Sequence, residues 1–381
     1  MNNNHLVILD LIIGFILLPL CLLIRGLRRI FSKIFKANYR GILVIKFLGA
    51  GNFIAIQDTL VDKDVDILSA KSNANALAKF NIGNHVFLID DSNLLRLIFS
   101  CLNCISRLLF KNYEQVINLE TESKFAKFVI ALTSAKILSG VSNVHKSYID
   151  YFLYDRYLVN PMMLDKPEVI NLLLDFKAVT NRYMKFALDA HRHDFLLNTP
   201  LNNVKRITIL PTGSNTDFIR RLSVDGGWDI VIDYLSALDG VDVVDVVFPS
   251  STDHQHHDFV VLSQKYPIIK LHITKYEEFI QKIKESDLVL TVDSQALHIA
   301  QQFKKPTIAI YGPSTPFGVN FEKTTYPVTR SLICSPCRHK YFKLPCENLA
   351  PCMKFVRSDF EVFNQINLKN DFVKDEINAS N

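Results

Sequence analysis

The feature that most constrains the fold is an alternation of short apolar runs with helical patterns, which occurs in two series. The strand-like runs of the first series are 41–47, 65–68, 86–89, 115–119 and 135–141, and a helical pattern such as 125–132 separates them. The strand-like runs of the second series are 206–210, 242–248, 268–273, 287–292 and 306–311. This rhythm predicts βαβ units on parallel sheets. The sequence therefore predicts an α/β protein whose sites lie at the carboxyl ends of the strands.

The two series place two domains along the chain. With 381 residues, the chain is long enough for two domains of ordinary size. We expect an N-terminal Rossmann-like domain over 41–200 and a C-terminal one over 201–370, facing each other across a cleft. Residues 164–193 have a helical pattern, and the polar run 197–203 predicts a linker.

Residues 1–40 predict a membrane anchor and a basic juxtamembrane segment. The stretch 6–24 is almost entirely apolar and about long enough to cross a bilayer. Six basic residues and no acid follow between Arg25 and Arg40. This order is the reverse of a signal peptide, and it predicts domains on the cytoplasmic side of the inner membrane. Asp10 and Pro19 leave a kinked, re-entrant or interfacial helix open as an alternative to a full span.

The charge distribution excludes one class of function. The formal net charge is +5, and without the six juxtamembrane residues the rest of the chain carries −1. A nucleic-acid-binding protein carries its positive charge on the folded surface. We therefore expect no nucleic-acid partner.

The stretch 293–300 carries the most specific motif. It reads D-S-x-x-x-H-x-A, directly after an apolar strand, and Gly312-Pro313-Ser314 follows the next strand. Asp293 and Ser294 are favourable helix-capping residues. The amino-terminal end of a helix offers N–H groups and a positive dipole to a diphosphate. The alternative is structural, with Asp293 as a cap and His298 as a hydrogen-bonded core histidine.

This motif resembles the signature of glycosyltransferase family 9, the bacterial lipopolysaccharide heptosyltransferases and their relatives. Three further segments are similar to that family, in the same order. LPTGSN (210–215) resembles the family's H-P-G-x-S loop, and Arg220 to Ser223 occupies the position of the family's basic K-R-W-P segment. KFLGAGNFI (46–54) resembles its N-terminal R-x-x-x-L-G-D turn. The resemblance covers roughly residues 41–360.

The resemblance implies a GT-B fold of two facing Rossmann-like domains and sugar transfer with inversion, without an obligatory metal or other cofactor. The donor, an ADP-, UDP- or GDP-sugar, would bind the C-terminal domain, and a cell-envelope glycan or lipid-linked acceptor the N-terminal one. Heptose is the sugar that the family suggests. The residues that would meet the donor are Thr212, Gly213, Ser214, Arg220, Arg221, Asp293, Ser294, His298 and Gly312.

One departure from the family affects the catalytic base. The family's acid in the L-G-D turn is replaced by Asn52, and an amide cannot accept the acceptor's proton. Glu120 and Glu122 follow an N-terminal strand, and Glu120 is the preferred base, with a purely structural acid as its alternative. Gly49, Gly51 and Glu122 are expected on the acceptor side.

Other polar clusters have weaker interpretations. Cys334, Cys337, Cys346 and Cys352 have spacings that suit a structural zinc site, free thiols or disulfides. The run DHQHHD at 253–258 is interpreted as a solvated polar loop. The apolar helix expected over 94–110 belongs to the core or rests on a bilayer.

Two other functions are alternatives to a transferase. Gly49-x-Gly51 after a strand suggests dinucleotide binding, but the third glycine is replaced by Ile54 and the second α/β series stays unexplained. A membrane-anchored non-catalytic protein that binds a nucleotide sugar, or acts as a scaffold, is the stronger alternative because of Asn52. An enzyme would turn the donor over, whereas a non-catalytic protein would only bind it.

Overall fold

The computed structural model describes residues 38–47, 49–120, 123–142, 153–159, 204–212, 227–238, 240–253, 255–314, 323–330 and 350–360. It also describes shorter pieces at 20, 23, 25–27, 150, 173, 192, 195–196, 222, 316, 346 and 362–363. The chain divides into two compact units, Met1–Tyr183 and Met184–Asn381.

The described residues of the first unit form a six-stranded parallel sheet. Its strands are β1 (Ile42–Ile45), β2 (Val65–Ala70), β3 (His85–Ile89), β4 (Asn112–Asn118), β5 (Ser134–Ser142) and β6 (Arg156–Val159). Its helices are α1 (Ala50–Leu60), α2 (Ala74–Lys79), α3 (Leu94–Leu109) and α4 (Lys124–Leu132), with a 3₁₀ turn at Lys71–Asn73. The strand order is β3-β2-β1-β4-β5-β6. Because the order reverses between β1 and β4, their carboxyl ends form the switch point where such sheets bind ligands.

The sequence of this unit explains its layers. Leu43, Val44 and Ile45 of the central strand β1 are fully buried, as expected where helices cover both faces of a parallel sheet. Asn93 is the N-cap of helix α3, and its side chain accepts a hydrogen bond from the Arg96 N–H at 2.9 Å. It packs on the sheet through buried residues at three- and four-residue spacing, namely Leu97, Cys101, Cys104 and Leu108.

The second unit repeats the same topology. Its strands are β7 (Arg206–Leu210), β8 (Val243–Phe248), β9 (Ile269–Ile273), β10 (Leu288–Val292), β11 (Thr307–Tyr311) and β12 (Thr325–Thr329). Its helices are α5 (Asp229–Ser236), α6 (His256–Lys265), α7 (Tyr276–Glu285) and α8 (Gln295–Gln302), with 3₁₀ turns at Pro351–Met353 and Arg357–Phe360. The order is β12-β11-β10-β7-β8-β9, so the switch point lies between β7 and β10.

The predicted α/β class and all ten predicted strands are confirmed, and the described residues form two further strands that were missed. Both missed strands, β6 and β12, lie at an edge of their sheet. β6 has only four residues, and β12 contains Pro327, which lowers the strand signal and is tolerated at an edge.

Several predictions fall on residues outside the described ones. The anchor segment 6–24 is described only at Leu20 and Leu23, both helical, and the linker 197–203 is not described. Among the described residues, no helix is both long enough and apolar enough to cross a bilayer. In the stretch 164–193, Leu173 and Arg192 are helical, in agreement with the predicted pattern.

Candidate functional site

The glycine turn after β1 lies at the switch point of the first sheet. Gly49 precedes α1 with φ 88° and ψ 76°, in the left-handed region that glycine adopts without strain. The Asn52 N–H donates to the Gly49 carbonyl at 2.9 Å. A Cβ on Gly49 would lie 2.8 Å from Asn52 Nδ2, the end of a side chain that can move, so it is the positive φ that favours glycine here. Gly51 is buried and Asn52 is half-buried at the start of α1.

Glu120 lies beside this turn and joins the ends of β1 and β4. Its Oε1 accepts a hydrogen bond from the Phe47 N–H at 2.7 Å, and its Oε2 lies 3.2 Å from Lys46 Nζ. The side chains of Lys46 and Glu120 are 15% and 14% exposed. The first sheet therefore holds a mostly buried carboxylate–ammonium pair at the position where this fold binds ligands.

Asn118 fixes the backbone of Glu120. Its Oδ1 accepts from the Glu120 N–H at 3.0 Å, and its Nδ2 donates to the Glu120 carbonyl at 3.0 Å and to the Tyr154 hydroxyl at 2.6 Å. Burial raises the pKa of Tyr154, which stays a neutral phenol at physiological pH. Sequence analysis missed Lys46, Asn118 and Tyr154 as members of this network. Glu122, its second candidate base, lies outside the described residues.

At the switch point of the second sheet, the D-S motif has the predicted capping geometry. Ser294 is the N-cap of α8, and its Oγ accepts a hydrogen bond from the Ala296 N–H at 3.2 Å. Thr291 Oγ1 lies 3.2 Å from the Leu210 carbonyl and 3.2 Å from Ser294 Oγ, so it joins the ends of β7 and β10. Thr212 is half-buried just beyond β7.

Asp293 and His298 are both enclosed by the second unit. Asp293 is 7% exposed, and its N–H donates to the Ile310 carbonyl at 3.3 Å. His298 is 6% exposed on α8. Burial, with the Asp293 carboxylate nearby, raises the pKa of Tyr311 well above its ordinary value. Among the described residues, the Tyr311 hydroxyl has no hydrogen-bond partner.

Gly312 is a packing position. A Cβ there would clash with the Met353 sulfur and would lie 2.7 Å from Met353 Cγ and 3.2 Å from Cys352 Sγ. Met353 and Cys352 are buried in the 3₁₀ turn after Ala350. Glycine at this position therefore lets the turn approach the end of β11.

The structure corrects the interpretation of 253–258 as a solvated loop, because Asp253 and Gln255 are buried. Asp253 Oδ1 accepts from the Gln255 N–H at 3.0 Å, whereas Oδ2 has no partner among the described residues. Gln255 Nε2 donates to the Leu222 carbonyl. Asp253 follows β8, the neighbour of β7. An acid just beyond the second strand of such a unit was a sequence signal that could have identified it.

The comparison with protein families decides the identity. The chain matches the model of glycosyltransferase family 9 (heptosyltransferase) over residues 102–346, nearly two thirds of its length. The chain belongs to glycosyltransferase family 9. The predicted family is thus confirmed, and the protein is a glycosyltransferase of the heptosyltransferase type.

Solved structures show the same fold as this transferase. E. coli heptosyltransferase WaaC with ADP is 16% identical, with a TM-score of 0.55 over 75% of this chain and 92% of that one. E. coli ADP-heptose lps heptosyltransferase II is 15% identical, with a TM-score of 0.56, and the match covers 87% of this chain and 99% of that one. A family 9 glycosyl transferase from Veillonella parvula is 14% identical, with a TM-score of 0.55, and the match covers 76% of this chain and 86% of that one. No curated protein sequence matches the chain.

Four donor-site candidates of the transferase, Gly213, Ser214, Arg220 and Arg221, lie outside the described residues, as do Cys334 and Cys337. Of the other two cysteines, Cys352 is buried and Cys346 is half-buried. Among the described residues, no three metal-binding side chains come together. The structural zinc site stays a prediction.

Proposed function

We propose that this family 9 enzyme transfers a sugar from a nucleoside diphosphate donor to a cell-envelope glycan or lipid-linked acceptor. The reaction would invert the anomeric carbon without a metal ion. The observation that carries the proposal is the junction of β7 and β10. There Thr291 contacts both Leu210, at the end of β7, and Ser294, the N-cap of α8. Two ligand-binding features of the fold, a switch point and a helix N-terminus, coincide there.

The donor's diphosphate is assigned to this junction. The leaving nucleoside diphosphate gains negative charge as the glycosidic bond breaks. The N–H groups and positive dipole at the start of α8 stabilise that charge, together with the loop that begins at Thr212. Asp293 is assigned to the sugar, because a carboxylate accepts hydrogen bonds from hydroxyl groups and repels phosphate. Arg220 and Arg221 remain proposed diphosphate ligands.

Asp253 is assigned to the hydroxyl groups of the donor's ribose. In nucleotide-binding α/β folds, an acid near the end of the second strand accepts hydrogen bonds from ribose. Asp253 follows the second strand of its unit, and its Oδ2 has no partner among the described residues. A buried acceptor without a partner is costly, so a ligand hydroxyl there stabilises the complex.

Glu120 is assigned as the general base. The acceptor hydroxyl would give its proton to Glu120 while its oxygen bonds to the anomeric carbon. In the same step the bond between that carbon and the diphosphate oxygen breaks, and the nucleoside diphosphate leaves with the electron pair. Asn52 cannot take this proton, and the Glu120 carboxylate accepts a hydrogen bond from the Phe47 N–H, two residues before the Gly49 turn.

The enzyme is proposed to act at the cytoplasmic face of the inner membrane. The support is the apolar stretch 6–24 followed by the basic run from Arg25 to Arg40. This location suits an acceptor that is itself part of the envelope.

The donor assignment is tested by equilibrium binding of a panel of nucleotide sugars and their nucleoside diphosphates to the detergent-solubilised protein. Asp253→Asn is expected to weaken binding of the preferred nucleotide about tenfold or more, because a hydrogen bond to a charged group contributes about 1.5–3 kcal/mol. Asp258→Asn is the matched control, since Asp258 is exposed on α6. Equal affinity of wild type and Asp253→Asn would remove Asp253 from the donor site.

A further inference from the structure

Helix α3 has an apolar face that the described residues of the first unit leave exposed. Its residues Leu95, Phe99 and Leu102 are 68%, 70% and 59% exposed. Leu94 and Ile98 are also exposed, and so is Phe110 just after the helix. Leu97, Cys101, Cys104 and Leu108 on the opposite side already provide the contact with the sheet.

The exposed residues form one surface. Positions 95, 98, 99 and 102 are three, four and seven residues apart, so they lie on one side of a helix. Scattered apolar residues on a protein surface are ordinary, whereas a contiguous apolar face marks a contact with a membrane or another protein. Other surface helices carry charged residues on their exposed side, as α7 does with Glu277, Lys284 and Glu285.

The charges around the face favour an anionic partner. Helix α3 itself carries Arg96 and Arg107 and no acidic residue, whereas Lys111 beyond its end is ion-paired with Asp66. Arg96 and Arg107 are exposed on the same helix as the apolar face. The Arg107 guanidinium lies 4.8 Å from the centre of the Phe87 ring, which holds it beside the sheet. A helix with leucine and phenylalanine on one face and arginine on the adjoining one is typical of helices that lie in a membrane interface.

We propose that the apolar face of α3 rests on an anionic lipid bilayer. Leu95, Phe99 and Leu102 enter the boundary between headgroups and acyl chains, and Arg96 contacts lipid phosphates. A second copy of the chain is less favoured as the occupant, because a twofold contact through this face would bring the arginines of both copies together. This contact lies in the first unit and is separate from the segment 6–24. It does not rest on the proposed donor or acceptor.

The test uses the full chain reconstituted into anionic phosphatidylglycerol vesicles, with or without bromine on the lipid acyl chains. The single natural tryptophan, Trp228, is fully buried and gives a constant background. In the variant Phe99→Trp, the added emission is expected to shift to the blue and to be mostly quenched by brominated lipid. The control Val261→Trp, at a 55% exposed site on α6, is expected to show neither effect. Both variants carry the same segment 6–24, so the difference between them reports the position of α3.

Unshifted and unquenched emission from Phe99→Trp would overturn the proposal. If the chain instead self-associates in detergent, and Leu95→Ser abolishes that association, the face is an interface between copies and the lipid proposal is also overturned. Arg96→Gln is expected to weaken the quenching most at low salt, where the attraction to anionic lipid is least screened. Transfer to a water-soluble acceptor analogue should persist in Leu95→Ser, which separates this proposal from the proposed function.

Discussion

Replacing Glu120 by glutamine tests the base assignment and the Lys46 pair together. Glutamine keeps the shape and one oxygen that can accept from the Phe47 N–H, but it removes the charge that faces Lys46 Nζ at 3.2 Å. In Glu120→Gln, the Lys46 ammonium group loses its ionic partner. Because this side chain is mostly buried, water replaces that partner poorly. A hydrogen bond to a charged group contributes about 1.5–3 kcal/mol, and we expect a loss of unfolding free energy of about 1–3 kcal/mol.

The effect on catalysis is expected to be larger than the effect on stability. A general base contributes roughly 10²–10⁴-fold to rate, so kcat of Glu120→Gln should fall by about that factor while donor affinity stays unchanged. The assay is steady-state release of nucleoside diphosphate in the presence of acceptor, beside urea unfolding of the same preparations. If kcat stays within a few-fold of wild type, Glu120 is a structural acid and the base is another group.

Two further variants separate the role of the charge pair from that of the base. Lys46→Met should cost stability similar to Glu120→Gln, and the double variant should lose less than the sum, because neither charge is then left alone. Glu114→Gln is the surface control. Glu114 pairs with Lys136 at 2.8 Å, with side chains 48% and 60% exposed, and such pairs contribute about 0–1 kcal/mol. Additive losses for Lys46 and Glu120 would show that they do not act as a pair.

Three other predictions follow from packing and burial. Gly312→Ala should lower the stability of the second unit by about 1–3 kcal/mol, because Met353 must move within a packed core. Urea unfolding followed by Trp228 fluorescence measures this loss, and an unchanged unfolding midpoint would contradict the prediction. Burial raises the pKa of Asp66, but hydrogen bonds from Lys111, Tyr113 and His85 outweigh it, so the pKa is lowered. Its stabilisation is thus present above the unfolded pKa of about 3.9 and is lost as pH falls. The stability difference between wild type and Asp66→Asn, followed by circular dichroism, should therefore be largest at neutral pH and shrink below about pH 4, and a pH-independent difference would contradict this. Burial, with the Cys104 thiol beside it, raises the pKa of Cys101 to about 12. Iodoacetamide should therefore not label Cys101 until the protein unfolds, which peptide mapping can check. Rapid labelling of the native protein would contradict the buried position.

The sequence predicted the sheets well because central parallel strands are buried on both faces and therefore read as continuous apolar runs, such as 288–292. Edge strands lack that signal, which is why β12 with its Pro327 was missed. The D-S cap at Ser294 was predictable, since capping depends on residues within one turn.

The buried polar residues were harder to predict. The Lys46–Glu120 pair joins residues more than seventy positions apart, and it forms because β1 and β4 are neighbours in the sheet. Strand order is not visible in a pattern of apolar runs. Asp253 lies in a run of polar residues, which composition alone marks as solvated, and only the packing of the second unit buries it.

The most direct test of the central claim is acceptor-dependent release of nucleoside diphosphate by the purified, detergent-solubilised enzyme. The donors would be ADP-heptose and a panel of UDP- and GDP-sugars, with an envelope glycolipid extract as acceptor. The account predicts that one donor turns over only when acceptor is present, that the product is inverted at the anomeric carbon, and that Asp293→Ala abolishes turnover. Tight binding of a donor without any turnover, or a product with retained configuration, would contradict it.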